Sequence, residues 1–148
     1  MILNQQTEVS VAVPQFERFL MRVKKSLGVI DLDLGICFVT TSEIRRLNRT
    51  YRAKNKPTDV LSFPFWTSLK GRNRKFYCSN GAPSYLGDIA ISPAIARRNA
   101  IVNGRTLQIE LRILIIHGVL HLLGFDHERD QGEMSLVEGQ LRHQFGIH

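Results

Sequence analysis

Cysteine is scarce in this 148-residue chain. There are two, Cys37 and Cys78, forty-one positions apart and outside any Cys-x-x-Cys pattern. That excludes a disulfide-stapled scaffold, and it makes a reducing cytoplasm the expected location. Long hydrophobic runs are missing too. The longest aliphatic run is Ile113-Leu114-Ile115-Ile116, far short of the roughly 20 residues a membrane helix needs, so no membrane partner is expected. The N-terminus lacks the basic, apolar, small-residue order of a signal peptide, and Glu8 falls early in it. No polar low-complexity tract occurs, and 43% of residues are hydrophobic, which excludes intrinsic disorder. A chain of this length buries about 70% of its unfolded surface on folding. One domain spanning residues 1–148 is therefore expected, with a core of its own.

Acidic residues are nearly absent from one window. Between Arg45 and Lys75 stand ten basic residues, and Asp59 is the sole acid. The window carries 10 − 1 = +9 against +7 for the whole chain, which leaves 7 − 9 = −2 for the remainder. A mobile solvated loop and a phosphate-facing surface both fit this excess. Charge alone does not choose between them.

Periodicity predicts a first helix over Pro14–Leu27, with Phe16, Phe19, Leu20, Val23 and Leu27 on one face and Gly28 as its stop. Leu34–Thr40 reads as a strand. A short helix capped by Thr41 or Ser42 follows, with Asn48 near its end. Val60–Phe65 reads as a second strand, whose end Pro64 demotes to an edge or an exit. Trp66–Ser84 is long and polar and suits a hairpin. Leu86–Ile91 is a third strand. Ser92-Pro93 then opens a helix that ends at Asn103-Gly104. Thr106–Leu123 is apolar nearly all round and should be the central buried helix. Gln131–Phe145 is a last amphipathic helix, with Met134, Val137 and Leu141 on one side. The pattern is that of an α+β domain: a small mixed sheet and about five or six helices around the central one.

Chemistry concentrates in His117-Gly-Val-Leu-His121-Leu-Leu-Gly124-Phe-Asp126-His127. Residues four apart on a helix share a face, so two imidazoles can reach one ion. A left-handed turn at Gly124 can bring His127 round as a third ligand. A lone histidine on an apolar helix is usually a core residue. Here three of the five histidines fall within eleven residues. Burying two imidazoles side by side without a metal would leave polar nitrogens to satisfy. Three imidazoles plus an open position describe a catalytic zinc site, although other divalent metals also suit imidazole. The spacing equals that of metzincin proteases, which place a glutamate base directly after the first histidine. Here that position is Gly118, so the peptidase mechanism lacks its proton acceptor.

The histidine block resembles the signature of the YbeY family of bacterial rRNA-maturation endoribonucleases. Arg52-Ala-Lys-Asn-Lys-Pro57-Thr58-Asp59-Val60-Leu61-Ser62-Phe63-Pro64 and Leu86-Gly87-Asp88-Ile89-Ala90-Ile91-Ser92 resemble two further blocks of the family, in its order. The resemblance implies one metal ion, usually taken to be zinc, held by His117, His121 and His127. It implies single-strand RNA cleavage in maturation of the small-subunit rRNA 3′ end and in ribosome quality control, with no DNA partner. It also implies that Arg52 is required. Two departures stand out: Lys70, Arg72, Arg74 and Lys75 occupy a loop where relatives often carry acids, and Phe125 replaces a common tyrosine.

Arg52 is suited to clamp phosphate oxygens bidentately. Arg45, Arg46, Arg49, Lys54 and Lys56 are candidates for backbone contacts. Asp88 suits either orientation of a ligand histidine or a structural cap. Asp126 suits a base or a turn. Glu110 lies two turns before His117 on the same helical face. Phe63, Phe65, Trp66, Phe76 and Tyr77 suit base stacking or, for the first two, the core. No carboxylate stands out as general base. Two alternatives remain at this point: a metal-dependent hydrolase of a peptide or small phosphoester, and a non-catalytic ribosome-associated factor with a structural metal.

Overall fold

The computed structural model describes residues 1–65 and 85–147. Among the described residues the sheet has four strands in the order β1-β2-β4-β3: β1 (Ile2–Asn4), β2 (Asp33–Phe38), β3 (Val60–Pro64) and β4 (Tyr85–Ile91). The pairs β1·β2 and β2·β4 are parallel, and β3·β4 is antiparallel. Five helices accompany it among the described residues: α1 (Val13–Ser26), α2 (Thr41–Arg52), α3 (Pro93–Asn103), α4 (Leu107–Leu122) and α5 (Glu133–Gln144). This is the expected α+β class with a small mixed sheet.

Capping chemistry sets most boundaries. The hydroxyls of Thr40, Ser92 and Thr106 each accept the amide three residues on, at 3.1–3.2 Å, and open α2, α3 and α4. Helix α2 runs one turn beyond the expected end near Asn48. Asn48 is buried, and its side-chain amide donates to the Lys56 carbonyl at 2.9 Å. Its amide is thus committed to tertiary structure and does not interrupt the helix. The helix stops at Ala53, which adopts a left-handed conformation at φ 57°, so Arg52 occupies its final turn. Strand β1 has no counterpart in the sequence reading, because three residues with one buried side chain carry no alternation. The Trp66–Ser84 hairpin expectation lies outside the described residues.

Helix α4 packs over the sheet with ten of its sixteen residues buried. Its Leu111, Ile115, Ile116, Val119 and Leu120 meet Ile36, Phe38, Ile89 and Ile91 of the sheet and Phe16, Leu20 and Val23 of α1 in one core. A smaller cluster on the other face joins Ile44 of α2 to Val39, Leu61 and Ala90. Glu110 does not approach the histidines as its helical phase suggested. It is buried and paired with Arg105 at 3.2 Å. No helix among the described residues is long and apolar enough to cross a membrane.

One residue of the β3·β4 pair carries a strict backbone demand. Gly87 stands opposite Pro64 at φ +142°, a region essentially restricted to glycine. A Cβ there would run into the Phe63 carbonyl oxygen and the Phe65 amide nitrogen. Gly87→Ala should cost about 3 kcal/mol from backbone strain and collision together. Urea unfolding reads this directly, and an unchanged midpoint would contradict the close approach.

Candidate functional site

His117 and His121 occupy the last two turns of α4, where the four-residue spacing puts both rings on one side. Their Nε2 atoms lie 3.1 Å apart, with ring centroids at 4.6 Å and planes at 72°. Gly118 between them faces β4. A Cβ at that position would come within 2.9 Å of Ile89, so a glutamate has no room where a metzincin carries its base.

The chain reverses as the spacing predicts. Gly124, at φ +95°, donates to His121 O at 2.9 Å, and Phe125 donates to Leu120 O at 3.0 Å. These are the paired bonds of a Schellman end. Asp126 shapes the next turn by accepting the Glu128 amide at 3.0 Å, which is the turn role. His127 then stacks on His117, with ring centroids at 5.7 Å and planes at 25°. The three histidines thus cluster, each of the other two in ring contact with His117.

The donor set fits a metal. Two imidazole nitrogens on a tetrahedral zinc are about 3.3 Å apart, close to the 3.1 Å between the two Nε2 atoms. Among the described residues the group whose ligand atoms all lie within 4.8 Å of one another is His117, His127 and Glu138, and His121 is not part of it. Glu138 was not foreseen. Its Oε1 lies 3.4 Å from His117 Nδ1, and that hydrogen bond holds its carboxyl below the usual range against the opposing effect of burial. The signal was in the sequence: Glu138 lies four residues after Met134 and three before Leu141, on the buried side of α5. A carboxylate in that stripe needs a partner. On the same helix, Ser135 Oγ lies 3.3 Å from His127 Nδ1.

An open cleft of about 1370 Å³ borders His121 and is also lined by Tyr51, Arg52, Phe63, Asp88 and Asp126 among others. Arg52 donates from Nη2 to the Ser62 carbonyl at 3.0 Å, and Ser62 Oγ donates to the Gly118 carbonyl at 3.3 Å. Two hydrogen bonds therefore tie the guanidinium to the helix that carries the histidines. Asp88 accepts the Tyr85 hydroxyl and lines the cleft. Arg45, Arg46 and Arg49 border a separate, smaller cleft of about 360 Å³ with Ser42 and Asn55. Lys70, Arg72, Arg74, Lys75, Trp66, Phe76 and Tyr77 lie outside the described residues.

Burial, and then the charge of His117, lower the pKa of His121 from its ordinary 6.5. In metal-free protein above that value both folded and unfolded states are neutral, and stability is full. As pH falls below it the unfolded chain takes up the proton first, so stability declines towards the lower folded value. The urea midpoint of chelator-treated protein should fall between pH 7.5 and 5.5, and the fall should shrink in His121→Gln. A midpoint that rises on acidification would contradict this.

Comparison with known proteins places the chain in a family. The family model described as Endoribonuclease YbeY matches residues 1–146. A relative from Koribacter versatilis named Endoribonuclease YbeY is 42% identical over 142 residues, covering 96% of this chain and 83% of its own length. One of the same name from Sulfurovum is 39% identical over 146 residues, covering 98% and 90%. The solution structure of a Thermotoga maritima protein superposes with a TM-score of 0.65 at 28% identity, covering 99% of this chain and 90% of that one. With a family match over nearly its whole length and relatives at this identity, the chain belongs to the Endoribonuclease YbeY family.

Proposed function

We propose that this protein is a metal-dependent, single-strand-specific endoribonuclease of the cytoplasm, acting in maturation of the small-subunit rRNA 3′ end and in ribosome quality control. In this reading residues 1–148 form one hydrolase domain. His117, His121 and His127 hold one zinc ion. The observation that carries the reading is the pair of Nε2 atoms at 3.1 Å in a site whose cleft also holds Arg52. The relatives' name, Endoribonuclease YbeY, supports the reaction class.

A bound zinc ion supplies Lewis acidity where charge develops on a phosphodiester. The remaining work falls to the chain. Arg52 carries five N–H donors in a fixed fork, and its anchor on Ser62 fixes the guanidinium at the cleft while other donors take phosphate oxygens. Tyr51, in edge contact with Phe63 at 5.3 Å, offers an exposed aromatic face beside Arg52 for an unpaired base. An open cleft of about 1370 Å³ exceeds the roughly 300–1,000 Å³ typical of small-molecule pockets, which favours a chain substrate over a small phosphoester. Gly118 leaves the peptide-hydrolase alternative without its base. The exposure of His127 favours an open catalytic site over the closed shell of a structural metal.

The test is hydrolysis of single-stranded and duplex RNA by zinc-loaded protein. Cleavage of the single strand alone is expected, with casein left intact. Arg52→Ala should lower the rate about 100-fold or more while keeping the metal, as loss of a charge-stabilising donor does, and Arg52→Lys should restore it only in part. His121→Ala should lose metal and cleavage together. Undiminished cleavage in both alanine variants would sink the assignment.

A further inference from the structure

We infer that helix α5 is the orienting element of the metal site: Glu138 and Ser135 hold the Nδ1 atoms of His117 and His127, so that both rings present Nε2 to the ion. This rests on the metal reading above and goes beyond it by assigning positioning residues and ligand atoms.

Each imidazole has two nitrogens, and the partner of one decides what the other can do. Glu138 Oε1 lies 3.4 Å from His117 Nδ1, while His117 Nε2 lies 3.1 Å from His121 Nε2. The carboxylate thus sits on the far side of the ring from the paired histidine. It accepts the Nδ1 proton and leaves the Nε2 lone pair turned towards His121. Ser135 meets the other ring at the same atom, with Oγ 3.3 Å from His127 Nδ1, where its hydroxyl can accept the Nδ1 proton. Ser135 and Glu138 are three residues apart on α5, hence on one face of the helix, and they meet two different histidines at the same ring atom. Met134 and Leu141, both buried, anchor that helix in the core.

The alternative is that Glu138 is itself a ligand, since its carboxylate oxygen falls within the 4.8 Å group with His117 and His127. The contact to Nδ1 argues for the orienting role. A metal-bound histidine commonly donates its second N–H to a carboxylate, and loss of such a partner weakens metal binding about 10- to 100-fold. Glutamine separates the two roles. Its amide oxygen still accepts from Nδ1–H, yet it is a poor zinc ligand.

Zinc affinity measured by competition with a chromogenic chelator tests this in the full-length protein. Glu138→Ala should bind zinc about 10- to 100-fold more weakly. Glu138→Gln should recover much of that loss, and Ser135→Ala should lose about two- to tenfold. Urea midpoints report whether each variant folds. Two-bond ¹H–¹⁵N spectra of the metal-free protein should show the Nδ1–H tautomer of His117 in the wild type and in Glu138→Gln, and a mixture in Glu138→Ala. Wild-type affinity in a folded Glu138→Ala, or equal loss in the Gln and Ala variants, would overturn the orienting role and leave the metal reading standing. A wild-type protein that retains no divalent ion would overturn the metal reading, and this inference with it.

Discussion

Helix α4 lies so close to strand β4 that no side chain fits at residue 118, where a Cβ would come 2.9 Å from Ile89. Glycine in a helix interior costs about 1 kcal/mol relative to alanine. Here that cost is offset by the apolar contacts that the close approach allows on either side of it, among them Ile115, Ile116, Val119 and Leu120 against the sheet. The packing fixes the height and rotation of α4, and with them the positions of His117 and His121. It also presents the Gly118 carbonyl to Ser62, whose own carbonyl anchors Arg52. Arginine and histidines come from distant stretches of chain, yet their separation is set by one helix lying on one sheet.

Much of this was legible in the sequence because local chemistry and tertiary demand agreed. Ser92-Pro93 opens α3 with a cap and a pre-set φ, and Gly104 closes it in a left-handed conformation at φ +67°. The all-round apolar character of residues 111–123 announced a helix buried on most sides. Pro64 marks an edge or an exit, and β3 ends at it as the outer strand of the described sheet. Disagreements arose where tertiary partners override local signals. Asn48 reads as a helix end, but its amide reaches Lys56 and the helix continues to Arg52. Glu110 shares the helical phase of His117, but a basic neighbour outside the helix, Arg105, claims it first.

The site divides in the same way. Four-residue spacing and a glycine turn are local, so the histidine cluster could be read from residues 117–127. Glu138 lies 21 residues from His117, and no spacing rule links them. The only trace was a charged residue on the inner stripe of an amphipathic helix. Such a residue states that a partner exists without saying which. Asp88 suited either a ligand histidine or a structural role, and it accepts a tyrosine hydroxyl from its own strand.

The end of α4 has an electrostatic consequence. The helix stops one residue after His121, so its negative pole, about half an elementary charge, lies at the site. The described lining of the cleft adds Asp88, Asp126, Asp130 and Glu133 against Arg52 and Arg129, four carboxylates to two guanidiniums, or −2. Taken by itself that wall repels a phosphate. A divalent cation cancels the sum and is welcomed by the same helix pole. In the proposed enzyme the basic window of the sequence favours RNA at long range, while the described lining of the cleft favours a cation. In the proposed enzyme cation loading therefore precedes RNA binding.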